Sequence, residues 1–195
     1  MLTVPLSCLR QIKVPASQLQ AGDALLFQYR EHQSVAERGI RLVTGSVFVH
    51  IGTVERPRPD VSPIVMEQLS PHRLFEELPL YTGAPQGTEV HALRPRFPVE
   101  PLDPALLVRE PYGYLGILDS LLNHGLSRVT LRHWRYRAML GLLTPDRIVC
   151  SALAAKRYRL DQHTDWAPDF RVVEPDDYVN HHESFDYLGQ VAFGV

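Results

Sequence analysis

The alternation of apolar and polar positions is clearest in residues 47–55, "VFVHIGTVE". At a period of two, Val47, Val49, Ile51 and Thr53 share one face of a strand, and Phe48, His50, Gly52 and Val54 share the other. That pattern predicts a strand with His50 in its middle, on a mostly apolar face. "ALLFQYR", launched by the turn at Ala21, Gly22 and Asp23, reads as a second strand; "SPIVMEQL", ending near Glu67, and "TEVHALRP" complete the set. Together they predict one antiparallel sheet. A short helix is expected over "SVAERGIRLVTGS", from Val35, Ile40, Leu42 and Val43 to Gly45.

In the second half the period changes to that of a helix. Leu115, Leu118, Leu121 and Leu122 recur at helical spacing, and so do Leu131, Trp134, Met139, Leu140 and Leu143. A turn at Thr144, Pro145 and Asp146 precedes "RIVCSALAAKRYRL", where Lys156, Arg157 and Arg159 suit a helix C-terminus. Strands first and helices second predict an α+β domain with its helices on one side of the sheet. The 16 prolines, many between Arg56 and Pro111, forbid long helices there and predict strands joined by proline-rich turns. "EPDDYVNHHE" (174–183) reads as a surface turn.

The length of 195 residues suits a single domain over 1–195, with a helical insertion at about 115–143. A formal charge of −2 exerts no global pull toward nucleic acid or an anionic membrane, so no nucleic-acid partner is expected. No run approaches the length of a membrane span, and Arg10 and Lys13 follow a short mixed stretch where a secretory pattern would put the charge first. The expectation is a protein that is cytoplasmic where it is made, for which delivery elsewhere as a phage or effector protein would need no leader. Two cysteines, Cys8 and Cys150, predict no disulfide framework.

Cys150 stands where β-branched Ile148 and Val149 give way to helix-forming residues. A thiol at the first turn of a helix meets unpaired backbone N–H groups and the positive end of the macrodipole, which favour the thiolate. A cysteine hydrolase also needs an imidazole that takes and returns a proton, and a third group that fixes the imidazole tautomer. His50 and Glu67, on neighbouring strands, supply these types, because cross-strand partners on one face lie about 5 Å apart. Each has an ordinary alternative: a lone cysteine is usually a small buried hydrophobe, and a strand histidine is usually structural. Gln68 could orient the imidazole instead of Glu67, but strand alternation turns the two side chains to opposite faces. N–H groups at the Cys150 helix start would form part of an oxyanion hole.

"GDALLFQYR", "VFVHIGTVE", "IVMEQL", "PYGYLGILD" and "RIVCSALAAKRY", in this order from Gly22 to about Leu160, resemble the circularly permuted NlpC/P60 (YiiX-like) hydrolases, a branch of the papain-like superfamily. The resemblance implies a permuted papain-like fold with the nucleophile at a helix N-terminus. It implies Cys150 as nucleophile, His50 as base, Glu67 as orienter and Tyr112 on the oxyanion side, with Tyr114 as its substitute. Three positions depart from the family pattern: Val49 replaces a serine, Thr53 an aliphatic residue, and Ala152 the glutamate after Cys-Ser. The last departure predicts altered substrate contacts with the chemistry retained. The helices at 115–143 then read as a lid over the cleft.

The activity this implies is cleavage of an amide, a peptide or cell-wall peptide first, or of a lipid-like acyl group second; no cofactor is needed. The competing reading is a non-catalytic papain-fold binding module. Asp23 is explained by turn chemistry, and Cys8 lies in no helix-start context. His163, Asp161 and "HHE" at 181–183 invite a metal, but adjacent histidines lack the spacing that lets two imidazoles converge on one ion. "RHWRYR" (132–137) reads as an amphipathic helix with Arg132 and Arg135 on its solvated face and Trp134 elsewhere.

Overall fold

The computed structural model describes residues 12–29, 46–57, 63–68, 73–77, 88–107, 150–167, 169–170 and 173–192. Seven strands lie in it: β1 (Lys13–Pro15), β2 (Ala24–Tyr29), β3 (His50–Arg56), β4 (Ile64–Gln68), β5 (Arg73–Glu77), β6 (Thr88–Pro95) and β7 (Phe185–Ala192). Three α-helices accompany them: α1 (Cys150–Tyr158), α2 (Leu160–His163) and α3 (Pro175–Asn180). The strands form one sheet in the order β1-β7-β6-β2-β3-β4-β5. The protein is therefore α+β, as its patterning predicts.

Two features of the sheet depart from the sequence reading. β1 runs parallel to β7, Lys13 beside Gln190 and Val14 beside Val191, so the sheet is mixed and not purely antiparallel. β7 comes last in the chain yet pairs with β6 near the middle of the sheet, so the order is not simply strands and then helices. β3 also opens at His50 itself, not at Val47. The backbone just before it is held otherwise: Val49 donates its N–H to Phe27 O, and the Ser46 hydroxyl accepts from Phe48 N–H at 3.0 Å.

Alternation in β2 shows how the sheet buries both faces. Ala24 and Leu26 enter one apolar cluster with Ile51, Leu93, Ala154, Ala155, Tyr158, Leu160 and Tyr178, which joins all three helices to the sheet. Leu25 and Phe27 point the other way, into a cluster with Val14, Leu19, Val54, Val65, Val90, Ala92 and Val191. The described helices thus pack on one side of the sheet. Burying so many aliphatic and aromatic side chains, each contributing roughly 1.5–3 kcal/mol, holds α1 against β3 and β4.

The turn before β2 forms as its residue types require. Gly22 has φ +88°, a left-handed conformation open to glycine, and Asp23 accepts the Gln20 N–H at 2.8 Å. Arg94 on β6 pairs with both Asp23 oxygens, at 2.8 and 2.9 Å. "EPDDYVNHHE" is not a surface turn: its first half is helix α3, started by a reciprocal capping box between Glu174 and Asp177 with Pro175 in the first turn. The reason is Tyr178, which is fully buried and donates its hydroxyl to Ser151 O at 3.0 Å, so the segment docks on α1. Residues 34–45 of the first expected helix, the expected helices over 115–143, the 144–146 turn, Cys8, Arg132, Trp134 and Arg135 lie outside the described residues.

Candidate active site

Cys150 is the first residue of α1 and is 7% exposed. Ala154 and Ala155 enter one apolar cluster with Cys150 and Tyr158, and Ala152 and Leu153 enter another, so the helix is buried nearly all round. Ala152 is buried with Met66 and Leu153, so the position expected to alter substrate contacts instead seats the helix on β4. At the far end of α1, Arg157 forks onto Glu55 of β3, Nε to Oε1 at 2.9 Å and Nη2 to Oε2 at 3.1 Å. Its Nη1 donates to Glu100 O at 2.9 Å, and Thr53 donates its hydroxyl to Glu55 Oε1 at 2.7 Å. A bulge in β3 between Val54 and Arg56 sits at this clamp. The helix is thereby tied along the strand that carries His50.

His50, at the start of β3, and Glu67, on β4, meet as the register demands. Gly52 stands opposite Glu67, which places His50 two residues along the same face as a diagonal neighbour. His50 Nε2 lies 2.8 Å from Glu67 Oε2, with His50 5% and Glu67 0% exposed. The Phe27 ring packs on the imidazole at 5.2 Å between centroids and shields the pair from water. With Nε2 committed to the carboxylate, the ring presents Nδ1 to Cys150, with which it also hydrogen-bonds.

The electrostatics follow from these contacts. Burial pulls the His50 pKa down, but the Cys150 sulfur and the Glu67 carboxylate outweigh it by charge and hydrogen bonding, and the imidazole is raised from 6.5 to about 10. Burial likewise pushes the Cys150 thiol up, yet the neighbouring imidazolium and the backbone N–H groups of Ile51 and Ser151 bring it below its ordinary value of 9.0. Both shifts favour the state in which the proton rests on the imidazole and the sulfur is an anion. Such a pair can attack a carbonyl carbon and has a proton ready for the leaving group.

Three of the four sequence-derived site residues, Cys150, His50 and Glu67, are thus brought together, and Tyr112 and its substitute Tyr114 lie outside the described residues. Sequence reading missed the Ile51 N–H donor, because a backbone group has no residue-type signature. It also missed the Tyr178 hydroxyl that braces the first turn of α1 through Ser151. Only the apolar Tyr-Val pair inside an acidic segment could have signalled that anchor. The residues weighed for a metal are engaged elsewhere: His181 stacks on Trp166 at 4.3 Å and pairs with Glu183 at 2.6 Å, and His163 stacks on Phe97 at 4.9 Å. Among the described residues no three His, Cys, Asp or Glu side chains are grouped to hold a metal ion.

The fold and this cluster define a class, an α+β protein with a buried cysteine and histidine backed by a carboxylate. Compared with models of known protein families and with curated proteins, the chain matches none. Among the described residues no helix is long and apolar enough to cross a membrane.

Proposed function

We propose that the protein is a cysteine hydrolase that cleaves an amide, in a peptide such as a short cell-wall peptide, through an acyl-enzyme intermediate. The observation that supports this most is one imidazole engaged on Nε2 by Glu67 and by Cys150 on its other side, with the cysteine lowered and the histidine raised. A purely structural histidine has no need of a thiolate partner at a helix start. The order of the elements, base and orienter on adjoining strands followed by the nucleophile on a helix packed over them, supports a permuted papain-like fold of the NlpC/P60 type.

The steps follow from the charges. The Cys150 thiolate adds a lone pair to the carbonyl carbon, and the displaced π electrons collect on oxygen as an oxyanion that N–H groups of the first helical turn can meet. Collapse of this adduct breaks the C–N bond while His50 gives its proton to the departing amine, leaving a thioester on Cys150. Water then donates a proton to His50 and its oxygen attacks the thioester. The sulfur leaves as thiolate, and the acid product departs. Glu67 holds the imidazole orientation and supports its positive charge through both halves.

Hydrolysis of a panel of amide, ester and thioester substrates tests this reading. Wild-type protein should turn over a peptide amide, and Cys150→Ala should lose at least about a thousandfold of that activity. Full activity in Cys150→Ala would overturn the assignment. Alkylation by iodoacetamide only above about pH 8 would instead favour a binding module. Turnover confined to long-chain acyl esters would move the substrate class to lipid.

A further inference from the structure

Gly52 lies in β3 between His50 and Val54, paired across the sheet with Glu67. Its backbone does not require glycine: among the described residues only Gly22, Gly189 and Arg159 have positive φ, and Gly52 is ordinary strand. What it lacks is space for a side chain. A β-carbon there would lie 2.8 Å from Glu67 Cγ, 2.9 Å from Glu67 Oε1 and 2.7 Å from Val65 Cγ1, all inside van der Waals contact. Glu67 Oε1 has no hydrogen-bond partner and is fully buried, so only Oε2, on His50, anchors the carboxylate by hydrogen bonding. The other oxygen is located by packing alone, and the bare face of Gly52 is the wall it packs on.

We propose that Gly52 is a positioning residue for the catalytic imidazole, its missing side chain forming the slot through which Glu67 reaches His50. This rests on the hydrolase reading above and adds to it a residue that touches neither substrate nor sulfur. The carboxylate is one methylene longer than aspartate, and it spans from β4 to the His50 ring by lying across Gly52. A methyl group at that spot drives the carboxylate off the strand, breaks the 2.8 Å contact and leaves the imidazole free to turn away from Cys150. Sheet packing alone offers another reason for the glycine, since Val65 also crowds the site, and the test must separate the two.

The experiment follows iodoacetamide alkylation of Cys150 across pH, which needs no substrate, in wild type, Gly52→Ala, Val65→Ala and the double variants Gly52→Ala/Val65→Ala and Gly52→Ala/Glu67→Asp. Gly52→Ala should move the inflection upward and slow alkylation near neutral pH by up to about a hundredfold, the scale of a misplaced catalytic group. Gly52→Ala/Val65→Ala, which relieves only the valine contact, should keep that defect. Gly52→Ala/Glu67→Asp, whose shorter side chain falls short of His50 whether or not the methyl is there, should be no slower than Gly52→Ala, because both changes break the same contact. An unshifted profile in folded Gly52→Ala, or full recovery on trimming Val65, would overturn the proposal. Should Gly52→Ala not fold, Gly52→Ala/Val65→Ala is read in its place; failure of both to fold also overturns it, because the glycine then serves the sheet. If the wild-type inflection itself sits where a free thiol titrates, the hydrolase reading has failed instead.

Discussion

At the scale of single residues, the buried ion pair makes stability depend on pH in a defined way. His50, raised from 6.5 to about 10, contributes stability that is full below 6.5 and lost as pH rises through about 10. Cys150, lowered from 9.0, contributes stability present above 9.0 and lost as pH falls through its depressed value. Between 6.5 and 9.0, at any pH above the depressed cysteine value, the folded pair and its unfolded counterpart each hold one proton, so the two slopes cancel there. The difference in thermal midpoint between wild type and a His50→Ala/Cys150→Ala variant should be level across that window and shrink on either side. A difference that stays constant from about pH 5 to about pH 10 would show that no ion pair exists. These residues were legible in the sequence because a cysteine at a strand-to-helix seam and a histidine on an apolar strand face are uncommon, and chemistry demands a third group. Ser151 is one of the helix-start N–H groups the sequence predicts beside the thiol, but Ile51 was not legible as a donor, since any residue but proline carries the same N–H.

At the scale of elements, the strands that flank the site were readable from alternation, and β6 matches "TEVHALRP" end to end. β3 was read too long at its start, because Val47 to Val49 carry strand-forming side chains while their backbone is already turning through the Ser46 hydrogen bonds. α3 was misread because its residues are those of a turn, and the tertiary contact of Tyr178 decides the matter. That contact makes a prediction. Tyr178→Phe keeps the ring in the core and removes only the hydrogen bond to Ser151 O, which should lower unfolding free energy by about 1 kcal/mol. The melting temperature should fall by about 2–4 °C for a chain of this size, measured calorimetrically. An unchanged melting temperature would mean that the hydroxyl braces nothing.

At the scale of the whole molecule, the mixed topology could not be read from local patterns. β1 is three residues long and β7 contains a glycine, so each is weak alone, and their pairing joins residues far apart in the chain. Gly189 shows what the junction requires. It has φ +136° next to an irregularity in the β6–β7 register, and a β-carbon there would lie 2.6 Å from Ile12 O. Gly189→Ala should therefore destabilise the protein by roughly 1–3 kcal/mol in chemical denaturation. The Val14 and Val191 amides should also lose hydrogen-exchange protection first. Equal stability and protection in the variant would show that the parallel strand is not held there.

The Arg157–Glu55 clamp carries a last consequence for the molecule in solution. Both side chains are buried, and mobile counter-ions weaken buried pairs far less than exposed ones such as Arg96 with Asp186. The brace that keeps helix and strand in register is therefore insulated from the ionic strength of the medium. Alkylation of Cys150 should proceed at nearly one rate in dilute buffer and in molar salt, and a steep salt dependence would place the clamp in open water.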